Sequence, residues 1–291
     1  MKFTISLIIT LCFLSAAAQK QATHKRIKIS KSVWLEKQLP EGSGLVAWNT
    51  RLWTHNDSGA AKLYLLDTIG GKIIDTIDLP GIKNTDWEDT TQDSAYLYIG
   101  DVGNNAGERS RLAILRISKI SLLTRTPHID TIAFTWPETK INGISANVNL
   151  DCEAMVAVGD SIFLFTKEYK NGRRTRVFAV SKQPGNYIVH LKGTLDTKVL
   201  ITGATFDDIQ KRLVLCGYNL ILQPFLLVFP EVNGTNFFGG KCQKVKVRLP
   251  FRQVEGIDSF DGKTYYLINE KFSFFFGLFH RKAGLHKLVL E

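Results

Sequence analysis

The chain has 291 residues, of which 44% are hydrophobic, 22% charged and 11% aromatic. This composition is typical of a globular protein and excludes disordered, fibrous and collagen-like chains. Lysine and arginine total 37 against 27 aspartates and glutamates, which gives a formal net charge of +10. Because the basic residues are dispersed and form no basic helix or aromatic-interleaved motif, we expect no nucleic-acid partner.

The first 18 residues have the pattern of a secretory signal peptide. Lys2 precedes an apolar run from Phe3 to Leu14, and small residues end the segment at Ala18. The run is shorter than the roughly 18–20 residues that a membrane-spanning helix needs. We therefore predict cleavage after Ala18, export to the periplasm or beyond the cell, and no transmembrane segment. Residues 19–291 are predicted to form a single domain that is a monomer.

Three cysteines lie outside this segment: Cys152, Cys216 and Cys242. Their spacing matches no zinc or disulfide framework. One disulfide would be possible in an oxidising compartment, but free cysteine in strand-like apolar surroundings usually packs as a small hydrophobic residue. We expect all three in the core.

Short strands with alternating polarity, separated by Gly, Asn and Asp turns, dominate the rest of the sequence and predict an all-β protein. Five segments share one pattern, which is a strand, a polar turn, a second strand and then a polar or acidic residue. They recur about every 50 residues, as repeated structural units do. The segments begin at Ser43, Glu88, Glu153, Thr202 and Glu255.

Two further strands follow most of these hairpins. We predict them at Lys62–Asp67 with Lys72–Leu79, Leu112–Ser118 with Ile129–Thr135, Arg176–Ser181 with Tyr187–Gly193, and Phe225–Phe229 with Cys242–Leu249. Four strands per unit at this spacing are typical of β-propeller blades. The fifth unit ends with Leu285–Leu290 as its third strand, and a segment around Arg26–Trp34 is expected to supply the outer strand. The fold class is therefore a single β-propeller of five four-stranded blades, with a sixth blade in the long second interval as the alternative.

The hairpin pattern also predicts a functional face. The first strand of a blade lines the central channel, and its start lies beside the end of the antiparallel second strand. The five residues that begin the hairpins should therefore form an inner ring, flanked by Asp86, Asp89 and Asp151. A next ring should contain Asp57, Asp101, Glu168, Asn219 (or Tyr218) and Glu270. Carboxylates dominate both rings, and their repulsion requires a cation, a neighbouring Lys or Arg, or protonation.

Oxygen ligands without clustered His or Cys favour a hard cation. We predict a site for Ca²⁺, or another hard divalent cation, whose ligands are Glu88, Glu153, Glu255, Glu168 and Glu270. The alternative is that some of these acids cap strand ends or are solvated at the face.

Other polar residues near the rings have candidate roles in catalysis. Asp57 and Asp101 are candidate general bases, and His55 is a candidate to stabilise an anionic substrate. A histidine in a turn can equally make a structural hydrogen bond. The candidate substrate-binding residues are Arg109, Lys167, Lys271 and Asn105.

Several short motifs carry a family resemblance: Glu41-Gly-Ser-Gly-Leu, Leu52-Trp-Thr-His-Asn-Asp-Ser-Gly, Asp151-Cys-Glu-Ala-Met and Val254-Glu-Gly-Ile. They resemble exported bacterial propellers of the esterase-like phytase and gluconolactonase-like group. That resemblance implies a propeller with a central cation site and, in some relatives, hydrolysis of phosphoesters or lactones. Glu153 and Glu255 match the acidic blade starts of that group, whereas Ser43 and Thr202 carry no carboxylate.

Two functions are compatible with such a face. The first is a metal-dependent hydrolase acting on a small anionic or ester substrate, either a phosphoester or a lactone. The second is a non-catalytic propeller in which Ca²⁺ rigidifies the channel and the surrounding loops bind a glycan, a peptide or a cell-envelope partner.

Overall fold

A computed structural model describes residues 25–141, 144–147, 150–169, 174–274 and 279–290. The predicted signal peptide lies outside these ranges. Within them, no helix has the length and apolar character needed to span a membrane. The described chain begins with two strands, β1 (Lys25–Ile27) and β2 (Ile29–Trp34).

The first two blades follow in chain order, and the repeat pattern predicts them closely. Blade 1 consists of β3 (Gly42–Trp48), β4 (Arg51–Asn56), β5 (Lys62–Leu66) and β6 (Ile73–Asp78). Blade 2 consists of β7 (Trp87–Gln92), β8 (Tyr96–Asp101), β9 (Leu112–Ser118) and, after the short helix α1 (Lys119–Leu123), β10 (Ile129–Thr135). A separate hairpin follows, with β11 (Glu138–Ile141) and β12 (Ile144–Asn147).

The remaining blades complete the ring. Blade 3 consists of β13 (Cys152–Val158), β14 (Ser161–Thr166), β15 (Arg174–Ser181) and, after the short strand β16 (Gly185–Ile188), β17 (His190–Asp196). Blade 4 consists of β18 (Leu200–Asp207), β19 (Arg212–Tyr218), β20 (Pro224–Phe229) and β21 (Gln243–Val247). Blade 5 contains β22 (Val254–Ser259), β23 (Thr264–Asn269) and β26 (Gly284–Val289), with a hairpin of β24 (Phe272–Phe274) and β25 (Phe279–Arg281) inserted before β26.

The five inner strands, β3, β7, β13, β18 and β22, pack side by side, and β22 contacts β3 to close the ring. The five-bladed propeller predicted from the sequence is therefore confirmed. The long second interval holds, among its described residues, the two-stranded hairpin β11–β12 rather than a sixth blade.

The amino-terminal segment closes the propeller. Strand β2 pairs antiparallel with β26 and is the outer strand of blade 5, as the sequence predicts. Strand β1 pairs parallel with β21, so the same segment also adds a fifth strand to blade 4. Two neighbouring blades are thus joined by residues that come from the start of the described chain, and their outer edges are covered.

The prediction that Tyr187–Gly193 forms one outer strand of blade 3 is wrong. Its first part belongs to β16, which pairs parallel with β10 of blade 2, and its second part belongs to β17 of blade 3. The physical reason is the apolar seam between these blades, against which Tyr187 packs and in which Val189 is buried. The chain therefore crosses to the neighbouring blade before it returns to its own.

Hydrophobic cores fill the seams between adjacent blades. Phe165 and Phe229 pack in the seam of blades 3 and 4, for example, and Trp53 and Trp87 lie in the seam of blades 1 and 2. Two of the cysteines, Cys152 and Cys216, are free and buried, as expected. The expectation is wrong for Cys242, which is free but exposed because it lies in the turn just before β21.

Candidate metal centre

Each inner strand carries a β-bulge near its start. The register shifts fall between Ser43 and Val46, Trp87 and Thr90, Cys152 and Ala154, Ile201 and Gly203, and Val254 and Gly256. The extra residue is Glu153 in blade 3, Thr202 in blade 4 and Glu255 in blade 5. In blade 2 the bulge contains Glu88. A bulge leaves its extra residue unpaired and re-aims its side chain. Four of the five predicted inner-ring residues therefore lie in bulges, and Ser43 lies at the edge of the fifth.

Glycines follow three of the ring positions because the inner strands nearly touch there. A Cβ atom at Gly203 would lie 2.9 Å from Cα of Gly256, and one at Gly256 would lie 2.8 Å from the carbonyl carbon of Gly44. Real Cβ atoms do not approach other atoms this closely. The backbones of blades 1, 4 and 5 thus close the channel next to the ring.

A carboxylate occupies the corresponding place in blade 2. Asp89 is buried and accepts hydrogen bonds from the backbone N–H of Met155 at 2.8 Å and of Ala204 at 3.3 Å. It thereby joins blade 2 to blades 3 and 4 across the channel. Burial raises the pKa of Asp89 well above its ordinary value, although these N–H groups oppose the rise. Asp89 thus stabilises the channel wall, and it is not among the residues that line the acidic cavity described next.

The ring opens into a cavity of about 200 Å³. Six of the side chains that line it are carboxylates and one is a lysine. The lining residues are Ser43, Asp57, Asp86, Glu88, Asn105, Glu153, Lys167, Tyr169, Tyr218, Gln253, Glu255 and Glu270. The predicted convergence of Glu88, Glu153 and Glu255 on one site is confirmed. The repetition along the sequence is therefore a repetition around a shared axis.

A compact acidic cluster occupies one side of this cavity. Glu88, Asp151 and Glu153 each offer a carboxylate oxygen, and the three oxygens lie within 4.8 Å of one another. Ca²⁺ binds oxygen at 2.3–2.6 Å, so ligands on opposite sides of one ion are about 5 Å apart. The buried cluster could therefore hold a single metal ion. Of these three residues, the sequence patterns identify Glu88 and Glu153 as ligands but place Asp151 beside the ring.

Several oxygens of these acids have no hydrogen-bond partner among the described residues. They are Oε1 of Glu153, Oε2 of Glu255 and Oδ2 of Asp151, all of them buried. The other oxygen of Asp151, Oδ1, accepts a hydrogen bond of 2.7 Å from the backbone N–H of Asn104. Buried polar atoms normally have a partner, so these oxygens point to a ligand.

Lys167 is the cation that lines the cavity. Its Nζ atom lies 2.8 Å from Oε2 of Glu153, and both side chains are buried. Burial alone would lower the pKa of the Lys167 ammonium, but the Glu153 carboxylate, together with Tyr218, Glu255 and Tyr169, outweighs burial, and the pKa lies well above its ordinary value. The rings of Tyr169 and Tyr218 lie 5.7 and 5.9 Å from Nζ, within the range of cation–π contacts. The ammonium is thus fixed and charged.

One lysine does not neutralise the cavity. Burial first, and the Glu153 carboxylate second, raise the pKa of Glu88 well above its ordinary value and that of Asp151 to about 8. Burial also raises the pKa of Glu270 to about 7. The pKa of Asp57 rises to about 8 because of its burial and its contact with Glu41. Without a further cation, several of these carboxyls hold protons at neutral pH.

The loop after β8 supports the cluster. Arg109 donates to Oδ1 of Asp101 at 2.7 Å and to the carbonyl oxygen of Gly103 at 2.6 Å. A Cβ atom at Gly103 would overlap the carboxylates of Glu88 and Asp86, so this position has no room for a side chain. The candidate general base Asp101 and the candidate substrate ligand Arg109 are therefore paired with each other. Neither is among the residues that line the cavity, whereas the predicted Asn105 is.

The predicted site residues Glu168 and Lys271 also lie outside the cavity lining. Glu168 accepts hydrogen bonds from Nε of Arg176 at 2.7 Å and from the Thr166 hydroxyl at 2.8 Å. Lys271 is exposed, and its backbone N–H donates to the carbonyl oxygen of Pro40. The structure does not bring these two side chains to Glu88, Glu153 and Glu255.

His55 makes a structural hydrogen bond, the role that the sequence leaves open as the alternative to catalysis. It is fully buried, its Nδ1 lies 3.0 Å from the carbonyl oxygen of Asn56, and its ring packs edge-on against Trp87. Because a carbonyl oxygen only accepts, Nδ1 is the protonated nitrogen. Burial lowers the pKa of His55 to about 4, so the ring is neutral at pH 7.

The sequence patterns miss two residues that line the cavity. Tyr169 lies beyond the end of the blade 3 hairpin and Gln253 precedes the blade 5 hairpin, so neither occupies a repeated position. Tyr218 was the alternative to Asn219 in the outer ring, and the structure selects it. Gln253 donates to the Tyr218 hydroxyl at 3.3 Å, which links the two sides of the blade 4–5 seam.

No protein-family model matches the chain, and a search of curated proteins finds no match either. The structure supports the family resemblance noted above at the level of the β-propeller fold.

Proposed function

We propose that the acidic cavity binds Ca²⁺, or another hard divalent cation, and that the protein is a metal-dependent hydrolase of small phosphoesters or lactones. The observation that carries the proposal is the cluster of Glu88, Asp151 and Glu153 oxygens within 4.8 Å of one another. A second supporting observation is that buried oxygens of Glu153, Asp151 and Glu255 have no hydrogen-bond partner within the described ranges.

The donor set fits a hard cation. The candidate ligands are carboxylates, and no His or Cys is among the lining residues. Soft or borderline metals such as Zn²⁺ usually take nitrogen or sulfur ligands, whereas Ca²⁺ takes oxygen. A divalent ion would also oppose the repulsion that Lys167 alone leaves among six lining carboxylates. Glu255 and Glu270 would complete its surroundings, as the sequence predicts.

When bound, such a cation polarises a phosphoryl or carbonyl oxygen and lowers the pKa of an associated water. The protein contributes two further groups. The Lys167 ammonium, fixed by Glu153, would contact an anionic oxygen of the substrate. Asp57, on the cavity wall, would accept a proton from the attacking water. A volume of about 200 Å³ is large enough for a phosphate-sized or lactone-sized group.

Calorimetric titration with Ca²⁺ and with Mg²⁺, after dialysis against EGTA, tests the metal site. We expect one Ca²⁺ per chain and an affinity at least tenfold lower in Glu153→Gln and in Asp151→Asn. Glu168→Gln is the matched control because Glu168 pairs with Arg176 outside the cavity, so it should bind as the native protein does. No binding by the native protein, or equal loss in the control, would contradict the metal proposal.

A panel of phosphomonoesters, phosphodiesters and lactones tests catalysis with the same variants. Turnover that requires the metal and is lost in Glu153→Gln but kept in Glu168→Gln would support the hydrolase. Metal binding without turnover on any member would favour the second candidate, a non-catalytic propeller that binds a glycan, a peptide or an envelope partner. The small cavity favours this candidate, since substrate pockets usually exceed about 300 Å³.

We also propose that the protein is exported and acts as a monomer. The sequence pattern of residues 1–18 supports export. Expression with the native amino terminus should give a mature chain that begins at Gln19, which amino-terminal sequencing would detect, and gel filtration would report its size.

A further inference from the structure

A second feature lies beside the cavity, where the loops of blades 4 and 5 meet. β22 begins there and β2 ends there, so the residues just before β22 and at the end of β2 lie on the same end of the propeller as the acidic cavity. Two arginines mark this place: Arg252, just before β22, and Arg281, at the end of β25.

The two guanidinium groups lie near each other, and neither has an acidic partner in the part of the chain that the structure describes. Among the ion pairs of the described residues, none includes Arg252 or Arg281. Nε of Arg252 is buried and has no hydrogen-bond partner among the described residues. The hydrogen bonds that the two side chains do make go to local carbonyl oxygens, those of Phe251 and His280. Burial, and then the charge of Arg281, lower the pKa of Arg252, as expected for adjacent cations without an anion between them.

Each arginine lies against an aromatic ring that is half exposed. The Arg252 guanidinium is 5.6 Å from the ring of Trp34, and the Arg281 guanidinium is 5.8 Å from the ring of Phe251. Trp34 is 51% exposed and Phe251 is 53% exposed. Tryptophan and arginine side by side are typical of surfaces that lie at the boundary between water and lipid.

Two aliphatic side chains extend the same surface. Leu220 and Ile221 form the tip of the β19–β20 loop and are 63% and 70% exposed. The backbone N–H of Arg252 donates to the carbonyl oxygen of Leu222, which fixes this loop against the arginines. Exposed lysines in the loops of blade 5, Lys271 and Lys282, add to the positive charge.

We propose that this aromatic–basic rim, formed by Trp34, Leu220, Ile221, Phe251, Arg252 and Arg281, docks the protein onto an anionic lipid bilayer. The paired guanidiniums would bind the phosphate of a lipid headgroup, because an anion is the partner that both lack. The aromatic rings would lie at headgroup level, and Leu220 and Ile221 would enter the acyl boundary. Charge complementarity selects an anionic surface over a neutral one. Docking would place the mouth of the acidic cavity beside the bilayer.

Vesicle flotation tests the proposal. The mature protein in EGTA is mixed with vesicles of two compositions. One is phosphatidylcholine alone, and the other is three-quarters phosphatidylcholine and one-quarter phosphatidylglycerol. We expect binding to the anionic vesicles that weakens with added salt, and at least tenfold weaker partition for Arg252→Gln/Arg281→Gln. Leu220→Ser/Ile221→Ser should weaken partition by a similar factor. The control Arg26→Gln/Lys28→Gln removes the same charge from exposed residues of the amino-terminal segment and should partition as the native protein does.

Other outcomes decide against the proposal. Equal loss in the Arg26/Lys28 control would assign binding to net charge rather than to the rim. Calorimetric binding of inorganic phosphate that needs Arg252 and Arg281, without vesicle partition, would make the site one for small anions. If a rim variant unfolds, fluorescence provides the test. Brominated lipid should quench the tryptophan fluorescence of the native protein more than that of Trp34→Phe. Equal quenching of the two proteins would overturn docking.

Discussion

Nζ of Lys167 lies 2.8 Å from Oε2 of Glu153 inside the acidic cavity, and this buried ion pair opposes the repulsion among the neighbouring carboxylates. Breaking a buried pair leaves one uncompensated charge, which typically costs about 3–5 kcal/mol. We predict a loss of that size in the free energy of unfolding for Lys167→Met, measured by urea titration in EGTA.

Two comparisons make this prediction specific. Lys62→Met breaks a 3.1 Å pair with Asp78, whose carboxylate is largely exposed, so it should cost less than about 1 kcal/mol. The double variant Lys167→Met/Glu153→Gln should recover part of the loss, because no charge is left unpaired. A Lys167→Met protein as stable as the Lys62→Met protein would show that the pair does not hold the cavity together.

The cavity carboxyls predict a dependence of stability on pH. Burial, with the neighbouring carboxylates, raises the pKa of Asp57 and Asp151 to about 8 and that of Glu270 to about 7, above the values near 4 in an unfolded chain. A group whose pKa is raised on folding stabilises the protein below its unfolded pKa, and this stabilisation is lost as pH rises through the folded pKa. In EGTA, the melting temperature should therefore fall between pH 5 and pH 9, by at least about 5 °C.

Calcium should remove most of that fall, because a bound divalent ion favours the ionised carboxylates. Melting curves at each pH, with EGTA or with excess Ca²⁺, give the comparison. A melting temperature that falls equally in both conditions would argue that the ion does not contact these groups.

Much of the fold could be predicted because the repeat is carried by local patterns. The short run Arg51-Leu-Trp-Thr-His and the polar turn before it define β4 without any tertiary information. The inner ring could also be predicted, since Glu88, Glu153 and Glu255 begin equivalent hairpins and the topology brings those starts together. The bulges that aim them into the cavity could not be predicted, because the alternation of a strand does not show where one residue will be left unpaired.

The outer ring was less predictable because it depends on partners that lie far away in sequence. Glu270 lines the cavity, whereas Glu168 ends an equivalent hairpin but pairs with Arg176 on the adjacent strand of its own blade. Asp101 is likewise held by Arg109. Equivalence of position brings side chains to the same end of the propeller, but the nearest cation decides which of them face the axis.

The two ring positions without a carboxylate hold the blades together. The Ser43 hydroxyl donates to the carbonyl oxygen of Glu88 in blade 2, and the Thr202 hydroxyl donates to the carbonyl oxygen of Val254 in blade 5. Losing such a donor leaves a buried acceptor unsatisfied, so Ser43→Ala and Thr202→Val should each cost about 1–3 kcal/mol of unfolding free energy.

Thr175→Val is the matched control for Ser43→Ala and Thr202→Val. The Thr175 hydroxyl is buried without a hydrogen-bond partner among the described residues, so its removal should be neutral or stabilising. Chemical denaturation of the three variants would rank them. A Thr202→Val protein no less stable than Thr175→Val would show that the seam does not depend on this hydrogen bond.

His286 connects the amino-terminal strand to blade 5 and gives the last prediction. Its Nδ1 lies 2.7 Å from the Ser32 hydroxyl and its Nε2 lies 2.6 Å from Oδ1 of Asn269. The amide nitrogen of Asn269 donates to two carbonyl oxygens, so Oδ1 is an acceptor and Nε2 carries the proton of a neutral ring. Burial, with the nearby charge of Arg252, lowers the pKa of His286 to about 3 from an ordinary value of 6.5.

Because the folded pKa is below the unfolded one, the stabilisation is complete above pH 6.5 and is lost as pH falls toward 3. At pH 5 the loss amounts to about 2 kcal/mol, at 1.36 kcal/mol for each pH unit below 6.5. The difference in unfolding free energy between the native protein and His286→Gln should therefore shrink by about 2 kcal/mol from pH 7 to pH 5. Between pH 7.5 and pH 8.5 it should stay constant, since the ring is neutral in both states. A difference that does not change between pH 7 and pH 5 would mean that His286 is protonated as easily in the folded protein as in the unfolded chain, and that Ser32 and Asn269 do not require its neutral form.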